Sequence, residues 1–314
     1  MRSYSLIAPA KINLYLEILG DRPDGYHELV MVMQSVDLAD RIDLRSNGTE
    51  TMRVQCDHPL VPNDTSNLAY RAAHLMSQQF PKAFAQFGAV DIAIHKQIPV
   101  GAGLAGGSTN AAAVLVGLDL LWELGLTQPE IQELGALLGS DVPFCVAGGT
   151  ALATGRGEQL DALPDLEKLH VVLAKYRSLS VSTPWAYQTY RQQFEASYLR
   201  EPTAQVNRRR EVRSGDMLSA IARRDSAQIG QLLHNDLEKV VLPQYPKVAD
   251  LQNRFREMQP LGTMMSGSGP TVFALTHTQD QAQQLYDQMR SAIADLDLEL
   301  WVSKFSHCGI HIAQ

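Results

Sequence analysis

Four glycines in seven positions, set between a strand-like run and a row of small apolar residues, constrain this chain more than any other feature. The stretch is "PVGAGLAGGSTNAAA", residues 99–113. "AVDIAIHKQIP" (89–99) alternates apolar and polar residues into it, and "AAAVLVGLDLLWELG" (111–125) leaves it as an apolar helix closed by Gly125. A chain entering a helix through glycines leaves free backbone N–H groups at the helix N-terminus, where the dipole favours an anion.

Familiar templates fit this loop poorly. "GAGLAG" (101–106) satisfies the dinucleotide pattern, but the helix leads to a second helix, "TQPEIQELGALLG" (127–139), not to a parallel strand, and Asp119 lies inside the first helix. No lysine follows Gly107, as the Walker loop requires, and the H-R-D and D-F-G signatures of protein kinases are absent. Ser108 and Thr109 can add a hydroxyl to a phosphate or to Mg²⁺. The plainer alternative is a glycine turn whose Ser, Thr and Asn merely cap the helix. Glycine density favours the phosphate.

The rest of the chain mixes strands and helices without an internal repeat. "YSLIAPAKINLYLEIL" (4–19) alternates, with Ile12, Leu14, Leu16 and Ile18 on one face and Lys11, Asn13, Tyr15 and Glu17 on the other, which predicts a half-buried strand. "DRPDGYHE" is a turn signal, "LVMVMQSVDLADRIDLRS" reads as one or two strands, and 66–80 carries a helical period. "SDVPFCVAGGTALATGRGEQL" reads as a turn followed by strand. The acidic segment "DALPDLEKL" (161–169) reads as a domain boundary. Beyond it, "HVVLA", "TVFALT" and the last 14 residues are strand-like, between helical patterns at 184–199, 214–238, 246–258 and 279–293.

A length of 314 residues suits about two domains. The chain is 45% hydrophobic and 19% charged, in the soluble globular range, with no apolar run that could span a bilayer, and no leader is expected at the N-terminus. A cytoplasmic protein is expected. Cys56, Cys145 and Cys308 lie far apart, without the spacing of a zinc site or a disulfide framework. A net charge of −7 argues against nucleic-acid binding, and the basic run "NRRREVR" (207–213) reads as the solvated face of a helix.

Several residues are ambiguous alone. Lys11 is by itself an ordinary strand lysine, and Asp141 in "GSDVPF" an ordinary turn aspartate. "DGYHE" (24–28) would suit recognition of a base, or be simple surface. "SGSGPT" (266–271) is a second glycine loop, either a turn before a strand or another place where backbone meets phosphate.

Taken together and in this order, "PAKINLYLEILGDRPDGYHEL", "PVGAGLAGGSTNAA", "GSDVPFCVAGGTALATGRGE", "NDLEKVV" and "MSGSGPTVFAL" resemble the GHMP kinase superfamily, from residue 6 to residue 275. The resemblance implies an α+β fold of two domains. An N-terminal ATP-binding domain (1–160) would contain a left-handed βαβ unit, against the usual crossover rule, and a C-terminal α/β domain (161–314) would close the active-site cleft. It implies transfer of the ATP γ-phosphate, with Mg²⁺, to a small-molecule alcohol. "RPDGYHEL" and "GRGE" point to the 2-hydroxyl of a cytidyl diphosphate of methylerythritol, in the non-mevalonate isoprenoid route, with homoserine, mevalonate or galactose as alternative acceptors. No nucleic acid or membrane partner is implied, and a monomer or weak homodimer is expected.

Carried over residue by residue, the resemblance makes Lys11 and Asp141 the catalytic pair. It makes Pro99, Val100, Gly101, Ala102, Gly103, Leu104, Ala105, Gly106, Gly107, Ser108 and Thr109 the triphosphate loop, with Ser108 as a Mg²⁺ contact. Asn67 and Lys96 would meet adenosine. Asn13, Tyr26, His27, Asp141 and Tyr187 would hold the acceptor, Tyr187 stacking on cytosine. Ala105 and Thr109 stand where glycine and serine are commoner, and Tyr176 where the family carries proline.

Overall fold

The computed structural model describes residues 2–166, 168–213 and 215–313. The helical pattern expected over 214–238 begins at Ser214, the boundary segment 161–169 contains Glu167, and the two ends include Met1 and Gln314. Those four positions lie outside the described residues.

The first sheet grows from one long hairpin. β1 (Ser3–Asp21) and β2 (His27–Ser46) pair antiparallel from Ser3↔Arg45 to Asp21↔His27, so the segment read as one or two strands is one. β3 (Arg53–Cys56) leads through α1 (Leu68–Gln79) and α2 (Pro81–Phe87) to β4 (Val90–His95). β3 and β4 pair in parallel, and β4 lies against β2. After the glycine loop come α3 (Gly106–Trp122), α4 (Gln128–Ala136) and α5 (Val142–Ala147), then β5 (Thr150–Gly155) and β6 (Gln159–Ala162), with β5 paired to the other end of β2. The turn expected before β5 is therefore a helix. Pro143 occupies its first turn, where a missing N–H costs nothing.

The later chain runs β7 (His170–Tyr176), α6 (Thr183–Phe194), a 3₁₀ turn (Glu195–Ser197), α7 (Pro202–Arg213), α8 (Asp216–Arg223) and α9 (Ser226–Gln231). It continues with β8 (His234–Asn235), α10 (Glu238–Gln244), α11 (Pro246–Glu257), β9 (Gly262–Met265), β10 (Val272–Thr276), α12 (Gln279–Ala292), β11 (Leu298–Lys304) and β12 (His311–Ile312). β11, β7, β10 and β9 form a second, antiparallel sheet, whereas β8 and β12 return to pair with β1 in the first.

Burial explains the two sheets. Val171 and Leu173 of β7 share a cluster with Ile12 and Leu14 of β1, while Val172 and Ala174 share one with Val248 and Phe255 of α11 and Leu285 and Met289 of α12. Alternation along β7 thus places the second sheet between the first sheet and a helical layer. On the first half, Leu6, Ile42 and Leu44 pack under the alanines of α3 and α1. A Cβ on Gly117 would stand 2.1 Å from a Leu44 methyl, so α3 lies against the hairpin at a distance only glycine permits there.

Enclosure from both sides corrects the expected half-buried β1. Ala8 to Leu14 are all buried, and Lys11 (4% exposed) and Asn13 (0%) with them. The basic run of α7 is also more than a solvated face. Arg208 reaches Glu17 at 2.8 Å and Arg209 reaches the buried Glu28 at 2.7 Å, which ties the helix to the end of the hairpin.

Candidate active site

A cleft of about 900 Å³ is lined by the glycine loop, the hairpin end, α6 and the 266–269 loop. Lys11 is one of the residues that line it. The ammonium donates to Asn13 Oδ1 at 2.7 Å and stands 3.6 Å from Asp141 Oδ2. Asp141 precedes α5 with helical φ and ψ, and its carboxylate makes no capping bond, which leaves it turned to the cleft and 31% exposed. A buried ammonium held by a neutral amide and facing a half-solvated carboxylate is the polar centre of an otherwise glycine-rich site.

The loop above it is built by two constraints. Leu104 O accepts the Lys11 backbone N–H at 3.2 Å, which joins loop to strand beside the lysine. Gly103 has φ 74°, and a Cβ there would stand 2.2 Å from Ser266 O, so only glycine lets this turn close onto the 266–269 loop. Asn235 supports that second loop through Met265 O and Gly267 O, both at 2.8 Å. Helix α3 then starts after Ala105, itself left-handed at φ 58°, and space within 4 Å of where a Gly107 Cβ would lie is empty. An anion can approach the helix N-terminus there.

Most of the expected loop residues line the cleft, namely Pro99, Val100, Gly101, Ala102, Gly103, Ala105, Gly106, Gly107 and Ser108. Leu104 and Thr109 do not. Leu104 is 1% exposed and packs in the cluster of Ile98 and Ala102. Successive helical residues point about 100° apart, so Ser108 faces the cleft while Thr109 is fully buried. Asn67 and Lys96 reach the cleft wall but are already engaged. Asn67 caps α1, accepting from Ala69 N and donating to Pro62 O. Lys96 is ion-paired to Asp40, which is fully buried and also accepts from Asn110 Nδ2, Gln97 N and Ile98 N.

At the other end of the cleft the structure brings Tyr26, His27 and Tyr187 together. The Tyr187 ring lies 5.2 Å from the His27 ring at 34°. Tyr26 is half exposed, with the Arg156 guanidinium 5.1 Å over its face. Tyr176 leaves this arrangement intact, because its ring is buried under Lys247 at 4.7 Å and β7 runs through it. Arg156 and Arg191 also line the cleft. Arg156 stands inside the "GRGE" motif but is not among the expected site residues, and Arg191 sits in no pattern that marks it.

His27 is a neutral imidazole. Burial lowers its pKa from 6.5 to about 4, the Arg191 charge adds to this and the Asp21 carboxylate opposes it. The unfolded ring takes up a proton near pH 6.5 and the folded ring only near 4, so stability is full above pH 6.5 and falls as pH drops towards 4. The loss by pH 4 is about 3 kcal/mol. Denaturation of wild type and His27→Gln between pH 7 and 4 should show the variant losing less; parallel curves would contradict the assignment.

Family models match in two places. The GHMP kinases N terminal domain covers residues 67–149 and the GHMP kinases C terminal domain residues 217–295. The chain belongs to the GHMP kinases, an assignment that the two-domain fold and the glycine loop share. It is 62% identical over 312 residues, 99% of each chain, to the 4-diphosphocytidyl-2-C-methyl-D-erythritol kinase of Gloeothece citriformis. The crystal structure of a 4-(cytidine 5'-diphospho)-2C-methyl-D-erythritol kinase superposes with a TM-score of 0.72 at 31% identity, covering 96% of this chain and 99% of that one. A homoserine kinase from Cytophaga hutchinsonii superposes at 0.76 with 19% identity, covering 100% of this chain and 98% of that one, a likeness of fold alone. Among the described residues no helix is long and apolar enough to cross a membrane.

Proposed function

We propose that the protein transfers the γ-phosphate of ATP to the 2-hydroxyl of 4-diphosphocytidyl-2-C-methyl-D-erythritol. The observation that carries this reading is the order of groups along one cleft. The glycine loop meets β1 at Lys11 through Leu104 O, Tyr26 and His27 sit at the hairpin end, ten residues further along β1, and all of them line one cleft with Asp141 and Tyr187. Relatives of 62% identity bear the name of this activity.

In this reading the triphosphate lies over Gly106, Gly107 and Ser108, where backbone N–H groups and the α3 dipole meet its charge. The acceptor hydroxyl meets Asp141. Its proton passes to the carboxylate as the new O–P bond forms and the bond from the γ-phosphorus to the bridging oxygen breaks, releasing ADP. Lys11, held by Asn13 and 3.6 Å from that carboxylate, orients the reacting groups. Among the described residues no group of three His, Cys, Asp or Glu could cage a metal, so Mg²⁺ would be held by phosphate oxygens with Ser108 and Asp141 beside it. When bound it neutralises charge on the β- and γ-phosphates.

ATP consumption with the cytidyl acceptor, homoserine, mevalonate and galactose in parallel tests the assignment. Turnover is expected with the cytidyl acceptor. Turnover confined to one of the other three would overturn it.

A further inference from the structure

In the proposed reaction the acceptor carries a diphosphate between its base and the reacting hydroxyl, and that negative charge has to be met. Among the described residues the cations lining the cleft are Lys11, Lys96, Arg156 and Arg191. Three of them are paired. Lys96 is held by Asp40, Lys11 faces Asp141 at 3.6 Å, and Arg191 of α6 donates to Asp21 Oδ1 at 2.7 Å and to Gly25 O at 3.1 Å. Arg156 differs. No ion pair engages its guanidinium among the described residues, and Asp24, whose carboxylate feels the charge, pairs with Arg22 at 3.1 Å.

The turn between β5 and β6 presents this side chain. Gly155 and Gly157, on either side of it, take φ 73° and 112°. Glu158, the nearest acid in sequence, is drawn onto the turn's backbone: its Oε2 accepts the Arg156 N–H at 2.8 Å, and a Cβ on Gly155 would stand 2.8 Å from the same oxygen. Gly157 packs where a Cβ would lie 2.7 Å from Met31 Cε and 3.7 Å from Ser140 Cβ, and Ser140 immediately precedes Asp141. From that wall the side chain reaches the hairpin end. Nη2 donates to Ala136 O at 2.5 Å, and the guanidinium carbon lies 5.1 Å over the Tyr26 ring. A guanidinium has five N–H donors, so one bond to a carbonyl leaves most of the fork open.

We propose that Arg156 binds the diphosphate of the acceptor. This rests on the reading that the base lies at Tyr26 and His27 and the hydroxyl at Asp141; the two phosphates then fall between those points, along the stretch that Arg156 spans. Its planar fork suits phosphate oxygens, and bonds between a charged donor and a charged acceptor are the strong ones. The competing role, a cation seated on the Tyr26 ring, would serve the base and not the phosphates.

Arg156→Met keeps an apolar chain over Tyr26 and removes the charge, whereas Arg156→Lys keeps the charge without the fork. The measurements are the thermal midpoint and the inhibition constants of CDP and of cytidine, each competing with the acceptor at saturating ATP. In Arg156→Met the constant for CDP should rise about 10- to 100-fold, the size of the lost charge-assisted bonds, while that for cytidine stays near its wild-type value. KM for the acceptor should rise with the CDP constant, KM for ATP should not follow it, and Arg156→Lys should recover part of the affinity for CDP. Equal weakening of CDP and cytidine would assign Arg156 to the Tyr26 ring and overturn the proposal, as would a CDP constant that does not move. Should the methionine variant not fold, the lysine variant carries the same comparison, with CDP weakened and cytidine not. CDP and cytidine that fail to compete with the acceptor in the wild type would instead overturn the placement of the cytidyl group at Tyr26 and His27.

Discussion

Replacing Asp141 by asparagine is expected to lower kcat by about 10²- to 10⁴-fold, the contribution typical of a positioned proton acceptor. Asparagine keeps the shape and removes the basic oxygen. Loss of the charge leaves Lys11 beside Asn13 Oδ1, so the fold should hold and the lysine should stay in place. KM for ATP should change little, because the nucleotide side of the cleft is built from the glycine loop and the start of α3. Steady-state kinetics paired with calorimetric titration of ATP makes the comparison. A variant that turns over like wild type would remove Asp141 from the chemistry.

The second large effect is expected where no substrate reaches. Asp40 is fully buried and gathers Lys96, Asn110 and the N–H groups of Gln97 and Ile98 at the entry to the glycine loop. Asp40→Ala strands a buried ammonium, a defect of about 3–5 kcal/mol, and should lower the thermal midpoint on the order of 10 °C. The ATP KM should rise with it, since residues 97 and 98 lead directly into Pro99. Removing both charges together, as Asp40→Leu with Lys96→Met, should recover much of the stability. A midpoint for Asp40→Ala within a degree or so of wild type would show that the ion pair is not what holds the loop.

Legibility from sequence followed the range of the interactions concerned. The strand, glycines and helix of 89–125 are local and appear in the expected order, although α3 begins at Gly106, five residues before the apolar run, and ends at Trp122 with Glu123, not Gly125, closing it. The same local reasoning could not place Thr109 against Ser108, because a loop's entry angle decides which side of the first turn faces outward. It placed Lys11 and Asn13 on a polar face, whereas the 266–269 loop lies over them from about 250 residues away in the chain. Asp40 in "LADRIDL" carries no pattern at all, and its role exists only because β2 passes under the start of α3. Arg209 looked solvated since its partner, Glu28, lies on an element the helical pattern could not reveal.

The return of β8 and β12 to β1 bears on how the molecule is made. β1 leaves the ribosome before its partners at Leu6 and Tyr15, which are Ile312 and His234 and emerge roughly 300 and 220 residues later. At about 5–20 residues per second that is a wait of tens of seconds, during which a nascent chain carries the hairpin of β1 and β2 with one edge unpaired. An exposed strand edge invites pairing with another chain, so association between nascent chains is the hazard this topology carries while the edge waits for its partners.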